Sequence, residues 1–216
     1  MTTPTLRPVT TGVRSPAPTR PHRRRRANRA LHLAPPNAVA PRVTPYLRWV
    51  KPTFDRAVAA LLLLLLAPIV VPFVVLLWVI PGEPVLVRDR RVGRGGDPID
   101  LLRFRIRGRG LDGRVGRWVE RVHLDATARL INLLRGDLSL VGPRPERAAV
   151  IAGYDSWEHA RHAVRPGLTG LWAVDPRRCA TGRLDTALGV VYVGTVGWRT
   201  DARILLRAVA RAATPR

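Results

Sequence analysis

A long uncharged apolar run dominates the hydrophobic pattern of the chain. No charged residue occurs between Arg56 and Glu83, and six consecutive leucines stand near the start of the run. A straight helix over residues 57–80 would be about 36 Å long, which exceeds the ~30 Å hydrocarbon core of a bilayer. The run therefore predicts a helix inserted in a membrane and not the core helix of a soluble protein.

Two prolines in the middle of this run predict a bend. Pro68 and Pro72 each lack an N–H and push against the carbonyl four residues back, so a kink is expected at Ala67-Pro68. Basic residues flank the run on both sides, and such residues resist translocation, which favours the cytoplasm for both ends. Two arrangements remain open at this point: a re-entrant hairpin and a tilted spanning helix with a proline kink.

After the apolar run, the pattern changes to short strands and amphipathic helices. The predicted elements are strands over residues 85–92 and 99–106, a glycine-rich loop over 108–116, a helix over 117–135 and a C-terminal amphipathic helix. In that last helix arginines recur at every fourth position, as Arg199, Arg203, Arg207 and Arg211. It is either an interfacial helix with arginines at lipid headgroups or a plain surface helix. The fold class predicted is mostly helical α+β, with a small domain that carries a β-hairpin.

Charge points to an anionic partner. The formal net charge is +22, nearly all basic residues are arginine, and Lys51 is the only lysine. Nucleic acid, anionic lipid and phosphorylated substrates all fit such a balance, and the apolar run favours the last two over nucleic acid. Residues 1–46 contain nine arginines, many prolines and no acid, which predicts a disordered basic tail that lies against anionic lipid. The lone Cys179 is typical of a reducing compartment.

Several arginines stand where the backbone is stiff enough to aim them. Pro143 and Pro145 enclose Arg144, and Arg165 precedes a Pro-Gly turn. Rigid arginines suit phosphate recognition, although an exposed turn is the alternative at both places. The glycine-rich turn before the strand that carries Arg103 is, in the same way, either a phosphate cradle or an ordinary hairpin turn. The histidines show no metal-ligand spacing with Cys179.

Four motifs follow one another in a fixed order. K-x-x-F-D at residues 51–55 precedes the apolar run, and P-V-L-x-R-x-x-R-V-G-R at 84–94 follows it. N-x-L-R-G-D-x-S-L-V-G-P-R-P-E at 132–146 and R-x-x-V-R-P-G-L-T-G at 161–170 come next. Over residues 47–210 the chain resembles the bacterial sugar transferase family, the monotopic phosphoglycosyl transferases.

The resemblance implies a location and a domain organisation. The family docks on the inner-leaflet face of the bacterial cytoplasmic membrane through a re-entrant helix broken at a Ser-Pro pair, which is Ala67-Pro68 here. The resemblance divides the chain into the tail (1–46), a membrane-inserted helical hairpin (47–82) and a cytoplasmic transferase domain (83–213). Anionic membrane lipids and downstream glycosyltransferases are the partners expected beside the substrates.

The resemblance also implies a reaction. The family moves a sugar-1-phosphate from a UDP-sugar to undecaprenyl phosphate and releases UMP, which starts assembly of exopolysaccharide or glycoconjugates. Leu124-Asp125 matches the family's nucleophile motif, so Asp125 is expected to carry the covalent phospho-sugar and to bind Mg²⁺. A carboxylate can attack phosphorus when cations neutralise the diphosphate and the leaving group. Four arginines are the candidates for that neutralisation: Arg103, Arg105, Arg144 and Arg165.

Three departures from the family pattern open a second hypothesis. The family's L-D-E-L-P-Q-L reads L-D-A-T-A-R-L here, so the Glu of the catalytic pair is Ala126. The usual K-F-R begins with Arg103, and an acidic position of the C-terminal motif is Gly189. The alternative is therefore a catalytically weak or inactive membrane paralogue that acts as a binding or scaffold protein. The intact G-P-R-P and R-P-G segments favour an active transferase.

Overall fold

One long apolar helix, α1 (Lys51–Val79), organises the fold. The computed structural model describes residues 44–80, 84–106, 117, 119, 124–175 and 182–213. Most of the predicted basic tail, the loop at 108–116 and Cys179 lie outside these residues. A π-helical turn, Tyr46–Val50, leads directly into α1. Helix α1 is long and apolar enough to cross a membrane by length and composition.

The two prolines lie inside α1, and neither interrupts it as a helical element. The chain is therefore helical on both sides of Ala67-Pro68, and the re-entrant hairpin stays a prediction. Large apolar side chains are exposed along nearly the whole length of the helix, for example Leu64 (74%) and Trp78 (78%). A narrow stripe on the opposite side is buried against the rest of the chain. That stripe is marked by Ala59, Phe73 and Leu77.

The predicted β-hairpin is confirmed. Strand β1 (Leu86–Val92) pairs antiparallel with β2 (Pro98–Phe104), from Leu86 opposite Phe104 to Val92 opposite Pro98. A single 3-10 turn, Arg94–Gly96, joins them. Gly95 and Gly96 have φ of 71° and 94° there, a conformation that a residue with a side chain rarely adopts. Glycine at these two positions therefore makes the tight connection possible.

The helix predicted over residues 117–135 is confirmed in part: Arg117 and Val119 are helical, and its carboxyl-terminal portion is a separate helix. Helix α2 (Arg129–Arg135) is preceded by a separate 3-10 turn, Leu124–Ala126. Gly136 ends α2 with φ 87° and donates its N–H to the carbonyls of Asn132 and Leu133. Asp125 therefore belongs to a separate turn before the helix, not to its interior.

A second sheet joins the two proline-containing motifs, which the sequence pattern did not predict. Strand β3 (Ser139–Val141) runs parallel to β4 (Gly167–Thr169), with Ser139 opposite Gly167. The remaining elements are α3 (Ala148–Ile151), a 3-10 helix (Ser156–Ala163), α4 (Leu171–Val174), α5 (Gly182–Thr195) and the predicted C-terminal helix, α6 (Trp198–Ala213). The domain is α+β and mostly helical, as predicted.

Two hydrophobic clusters hold the domain together, and both include residues of α1. The first contains Ala59 of α1 with residues of α2, β3 and α5, such as Leu133, Leu140 and Val193. The second contains Phe73 and Leu77 of α1 with Leu102, Phe104 and Leu124, among others. The amino-terminal half of α1 thus packs on one cluster and the carboxyl-terminal half on the other.

Candidate active site

The turn that carries Asp125 is fixed by its neighbours. Leu124 is buried in the second cluster, and its carbonyl accepts a hydrogen bond of 2.7 Å from the Thr127 hydroxyl. Phe104 of the same cluster meets Phe73 of α1 edge to face, with ring centroids 5.8 Å apart. The side chain of Asp125 lies outside the described part of the chain. Its turn nevertheless lies beside the carboxyl-terminal half of the apolar helix.

Arg103 and Arg105 lie on the strand that enters this same cluster. Arg103 is exposed on β2, between the buried Leu102 and Phe104. Arg105 follows the strand half-buried, and its backbone N–H donates to the Val85 carbonyl at 2.8 Å. The strand and the Leu124–Ala126 turn therefore share one apolar support, which brings the segments of Asp125 and the two arginines to one region.

Arg144 is held by acidic and aromatic neighbours. Its Nη1 donates to Asp185 Oδ2 at 2.7 Å, and its Nε lies 3.6 Å from Glu146 Oε1. The guanidinium carbon lies 5.5 Å from the ring centroid of Trp172. Half of the Arg144 side chain stays exposed (49%), so the group is oriented and still open to a ligand. Asp185 stands one helical turn before Gly189, the position where the family has an acid.

A buried arginine supports this arrangement from behind. Arg161 is 2% exposed and donates to the backbone carbonyl of Arg144 at 2.5 Å. It also donates to the hydroxyls of Tyr154 (2.8 Å) and Thr186 (3.0 Å). These bonds fix the backbone of the G-P-R-P segment, so the direction of Arg144 is determined by the fold and by its own ion pair.

Backbone close approach joins the G-P-R-P and R-P-G segments. A Cβ added to Gly142 would lie 2.5 Å from the Arg165 carbonyl oxygen, and one added to Gly167 would lie 2.1 Å from the Gly142 nitrogen. Neither position has room for a side chain. The two segments are therefore adjacent, but the described contacts of Arg144 and Arg165 are made with different groups.

Arg165 belongs to a cluster of basic residues near the start of α1. Arg56 Nη2 lies 2.9 Å and Arg165 Nη1 3.6 Å from the point that a Cβ on Gly136 would occupy. Burial lowers the pKa of Arg165, and the charges of Arg56 and Arg94 lower it further. The four predicted arginines therefore lie in three places. Arg103 and Arg105 lie near the Asp125 turn, Arg144 contacts α5, and Arg165 lies near the start of α1.

A buried polar network anchors the first turns of α1 to the domain. Lys51 Nζ lies 2.5 Å from Asp201 Oδ2, and the same carboxylate accepts hydrogen bonds from the Tyr46 and Tyr192 hydroxyls. Burial and the Asp201 charge raise the pKa of Tyr192, which therefore stays a donor. One turn further along α1, Asp55 accepts a 2.6 Å hydrogen bond from the Ser139 hydroxyl.

The bacterial sugar transferase profile matches residues 46–214, which is most of the chain. This protein belongs to the bacterial sugar transferase family. The match begins at the π-helical turn before α1 and ends at the last residues of α6. The family resemblance drawn from the sequence motifs is therefore confirmed.

Named relatives of this sugar transferase act on different sugars. The UDP-glucose:undecaprenyl-phosphate glucose-1-phosphate transferase of Caulobacter vibrioides is 35% identical over 81% of this chain and 73% of its own. The sugar transferase EpsL of Bacillus subtilis is 31% identical over 74% of this chain and 85% of its own. The UDP-N-acetylgalactosamine-undecaprenyl-phosphate N-acetylgalactosaminephosphotransferase of Aeromonas hydrophila is 29% identical over 69% of this chain and 39% of its own. By name, the first and third share undecaprenyl phosphate and differ in the sugar.

The described part of this sugar transferase offers no closed cage for a metal ion. The described residues contain no group of three or more His, Cys, Asp or Glu side chains that could hold a metal. Ala126 supplies no side-chain oxygen beside Asp125. Magnesium commonly binds through one or two carboxylates and the phosphates of its substrate. Magnesium binding through Asp125 and a bound diphosphate therefore stays a prediction.

Several residues that build the site belong to the quoted motifs, but no motif predicts the partners that they contact. Lys51 and Asp201 are 150 positions apart, and neither their spacing nor their flanks predict that they meet. Asn132 ties α2 to β2: its side chain accepts from the Leu102 N–H and donates to the Asp100 carbonyl. The useful signals are compositional: a single lysine in an arginine-rich chain, and an amide on an otherwise apolar helix face.

Proposed function

We propose that this sugar transferase moves a sugar-1-phosphate from a UDP-sugar to undecaprenyl phosphate, releases UMP, and so starts assembly of exopolysaccharide or a glycoconjugate. One observation carries the proposal: the turn of Asp125 packs, through Leu124, on the carboxyl-terminal half of an exposed apolar helix. A lipid-borne acceptor and a water-soluble donor can meet at such a place. The names of the relatives support the same two substrates.

The proposed chemistry proceeds in two displacements at phosphorus. A carboxylate oxygen of Asp125 attacks the phosphorus attached to the sugar, and the bond from that phosphorus to the bridging oxygen breaks, so UMP leaves with that oxygen. A phosphate oxygen of undecaprenyl phosphate then attacks the same phosphorus. The bond to Asp125 breaks, and the free carboxylate is regenerated.

Charge neutralisation is proposed for the arginines near the donor. Arg103 and Arg105 lie on the strand that shares its apolar support with the Asp125 turn, and they would face the diphosphate. Arg144, oriented by Asp185 and half-exposed, can form paired hydrogen bonds to a phosphate or carboxylate. Magnesium, held by Asp125 and the substrate phosphates, would supply further neutralisation of the leaving group.

Contacts at both ends of α1 support a monotopic arrangement on the inner leaflet. Lys51 at one end bonds Asp201, and Leu77 at the other is buried beside Phe104. A helix that crosses a bilayer separates its ends by ~30 Å of hydrocarbon, and one folded body could then touch only one of them. A helix that enters and leaves on the same side satisfies both contacts. The exposed Trp198, Leu206 and Val209 of α6 would rest on the same surface.

The decisive experiment measures UMP release by the purified full-length protein. Undecaprenyl phosphate, Mg²⁺ and a panel of UDP-sugars are supplied, with Asp125→Asn as the blank, because an amide cannot form the acyl phosphate. Release above the blank from one UDP-sugar supports the proposal and names the donor. Undiminished release from Asp125→Asn would remove Asp125 as the nucleophile.

Ala126→Glu tests the alternative function. This variant restores the family's carboxylate beside Asp125. UMP release by Ala126→Glu but not by the native chain would show that the native active site has lost one catalytic group, and would favour the binding or scaffold function. Comparable release from both would show that the adjacent carboxylate is dispensable in this chain.

A further inference from the structure

A cavity of ≈ 310 Å³ lies beneath the first turns of α1. Its walls come from four separate parts of the chain: the start of the membrane helix, the turn after β1, strand β3 and the segment before β4. The polar side chains that line it are those of Arg48, Lys51, Asp55, Arg94, Ser139 and Arg165. Basic residues thus converge from elements that are distant in sequence.

The charges around this cavity are not balanced. Lys51 is paired with Asp201, and the Asp55 carboxylate, which accepts a hydrogen bond from the neutral Ser139 hydroxyl, contributes one negative charge to the cavity lining. Within the residues that the structure describes, no ion pair joins an acid to Arg48, Arg94 or Arg165. The cavity therefore retains a surplus of positive charge that an anion would neutralise.

The guanidinium groups are also held close together. Arg56 and Arg165 both approach the same point at Gly136, within 2.9 and 3.6 Å. Arg165 is half-buried; burial lowers its pKa, the charges of Arg56 and Arg94 lower it further, and the nearby Asp55 and Asp137 oppose that shift. Like charges gathered in a partly dry site are unfavourable, and a bound anion would add to the partial compensation from these two acids.

Apolar surface borders the same cavity. Leu47, Pro52, Ala163 and Val164 complete its lining. Next to them, Trp49 is 66% exposed and Phe54 53% exposed, at the start of the apolar face of α1. A ligand that fits both surfaces has an anionic head and a hydrocarbon tail.

We propose that this cavity binds the phosphate of a membrane lipid, with the lipid chain lying on the exposed face of the first turns of α1. The phosphate is that of a glycerophospholipid, because the acceptor phosphate of the proposed reaction has to reach the phosphorus on Asp125, whereas none of Arg103, Arg105 and Arg144 lines this cavity. Binding does not require turnover, so it can be tested whether or not the proposed transferase activity is found.

Calorimetric titration of the full-length protein in neutral detergent tests the proposal. The probes are dihexanoyl phosphatidic acid, farnesyl phosphate, inorganic phosphate and dihexanoyl phosphatidylcholine. We expect saturable binding of phosphatidic acid, at least as tight as that of farnesyl phosphate, and affinity lower by about tenfold or more in Arg94→Gln and Arg165→Gln, because each loses a charged hydrogen bond. Arg94 is exposed on a turn, so its replacement leaves the core intact. Arg90→Gln, on the exposed side of β1, is the matched control and should bind as the native chain does.

The comparison among probes identifies the source of the phosphate. Binding of phosphatidic acid at least as tight as that of farnesyl phosphate supports the site. Preference for farnesyl phosphate, equal affinity for inorganic phosphate, equal loss in Arg90→Gln, displacement by UMP, or no binding of phosphatidic acid would each overturn the proposal.

Discussion

Removing the Lys51 ammonium is expected to destabilise the protein far more than removing an exposed arginine one turn away. Lys51 Nζ lies 2.5 Å from Asp201 Oδ2, and the two side chains are only 9% and 6% exposed. Breaking such a pair on one side leaves a buried charge and costs about 3–5 kcal/mol. Asp201 keeps the hydroxyl donors of Tyr46 and Tyr192 at 2.6 and 2.7 Å, so we expect the lower end, about 3 kcal/mol, for Lys51→Met.

Thermal unfolding in detergent, followed by circular dichroism, measures this cost. At about 2–4 °C per kcal/mol for a chain of this size, Lys51→Met should lower Tm by about 6–12 °C. Arg48→Met removes the same charge from an exposed side chain and should change stability by no more than about 0.5 kcal/mol. Methionine keeps most of the volume in both variants, so the difference reports the buried charge.

A double-mutant cycle separates the ion pair from general damage to the fold. Asp201→Asn and the double variant complete the cycle with Lys51→Met. Residues in direct contact should couple, and we expect the double variant to be more stable than additivity predicts by at least about 1 kcal/mol. Strict additivity, or a Lys51→Met effect no larger than that of Arg48→Met, would refute the anchoring role of the pair.

Three further variants test other parts of the structure. Gly142→Ala should prevent correct folding or lower stability by several kcal/mol, because its Cβ would lie 2.5 Å from a carbonyl oxygen. Gly153→Ala is the control, since its Cβ meets nothing closer than 3.7 Å. Equal expression and equal unfolding of the two variants would contradict the close approach at Gly142. Asn132→Leu should cost about 2–3 kcal/mol in chemical unfolding because a strand N–H and carbonyl lose their partners; a neutral result contradicts that role. Pro68→Ala should straighten α1 and expose the amino terminus to periplasmic protease, and continued protection would count against the predicted kink.

Local patterns predicted the parts of the fold whose contacts are local. The strands of the β-hairpin were predicted within two residues at each end, because a valine-rich segment, a glycine turn and a second apolar segment are adjacent in the sequence. The apolar helix and the C-terminal helix follow from uninterrupted composition and a four-residue repeat. The sequence alone predicts these elements because their formation does not depend on contacts with residues far away in the chain.

The parallel sheet could not be predicted in the same way. Strands β3 and β4 have three residues each, too few to show any alternation, and they lie more than 20 residues apart. Their pairing is decided by Gly142 and Gly167, which permit close backbone approach. For the site, motif resemblance predicted roles for Asp125 and Arg144, and those roles stay predictions. The resemblance did not reveal that Arg165 joins the basic cluster with Arg56 and Arg94, because that grouping depends on tertiary packing.

The sharing of α1 between the two hydrophobic clusters has a consequence for how the protein is made. Ala59 completes one cluster, and Phe73 and Leu77 complete the other, so the domain has no finished interior without this segment. A fragment that starts at β1 would expose both interiors to water and should aggregate. The ribosome delivers α1 before the rest of the domain, so the later segments have to assemble against a helix that is already made, and the placement of α1 and the folding of the domain are coupled.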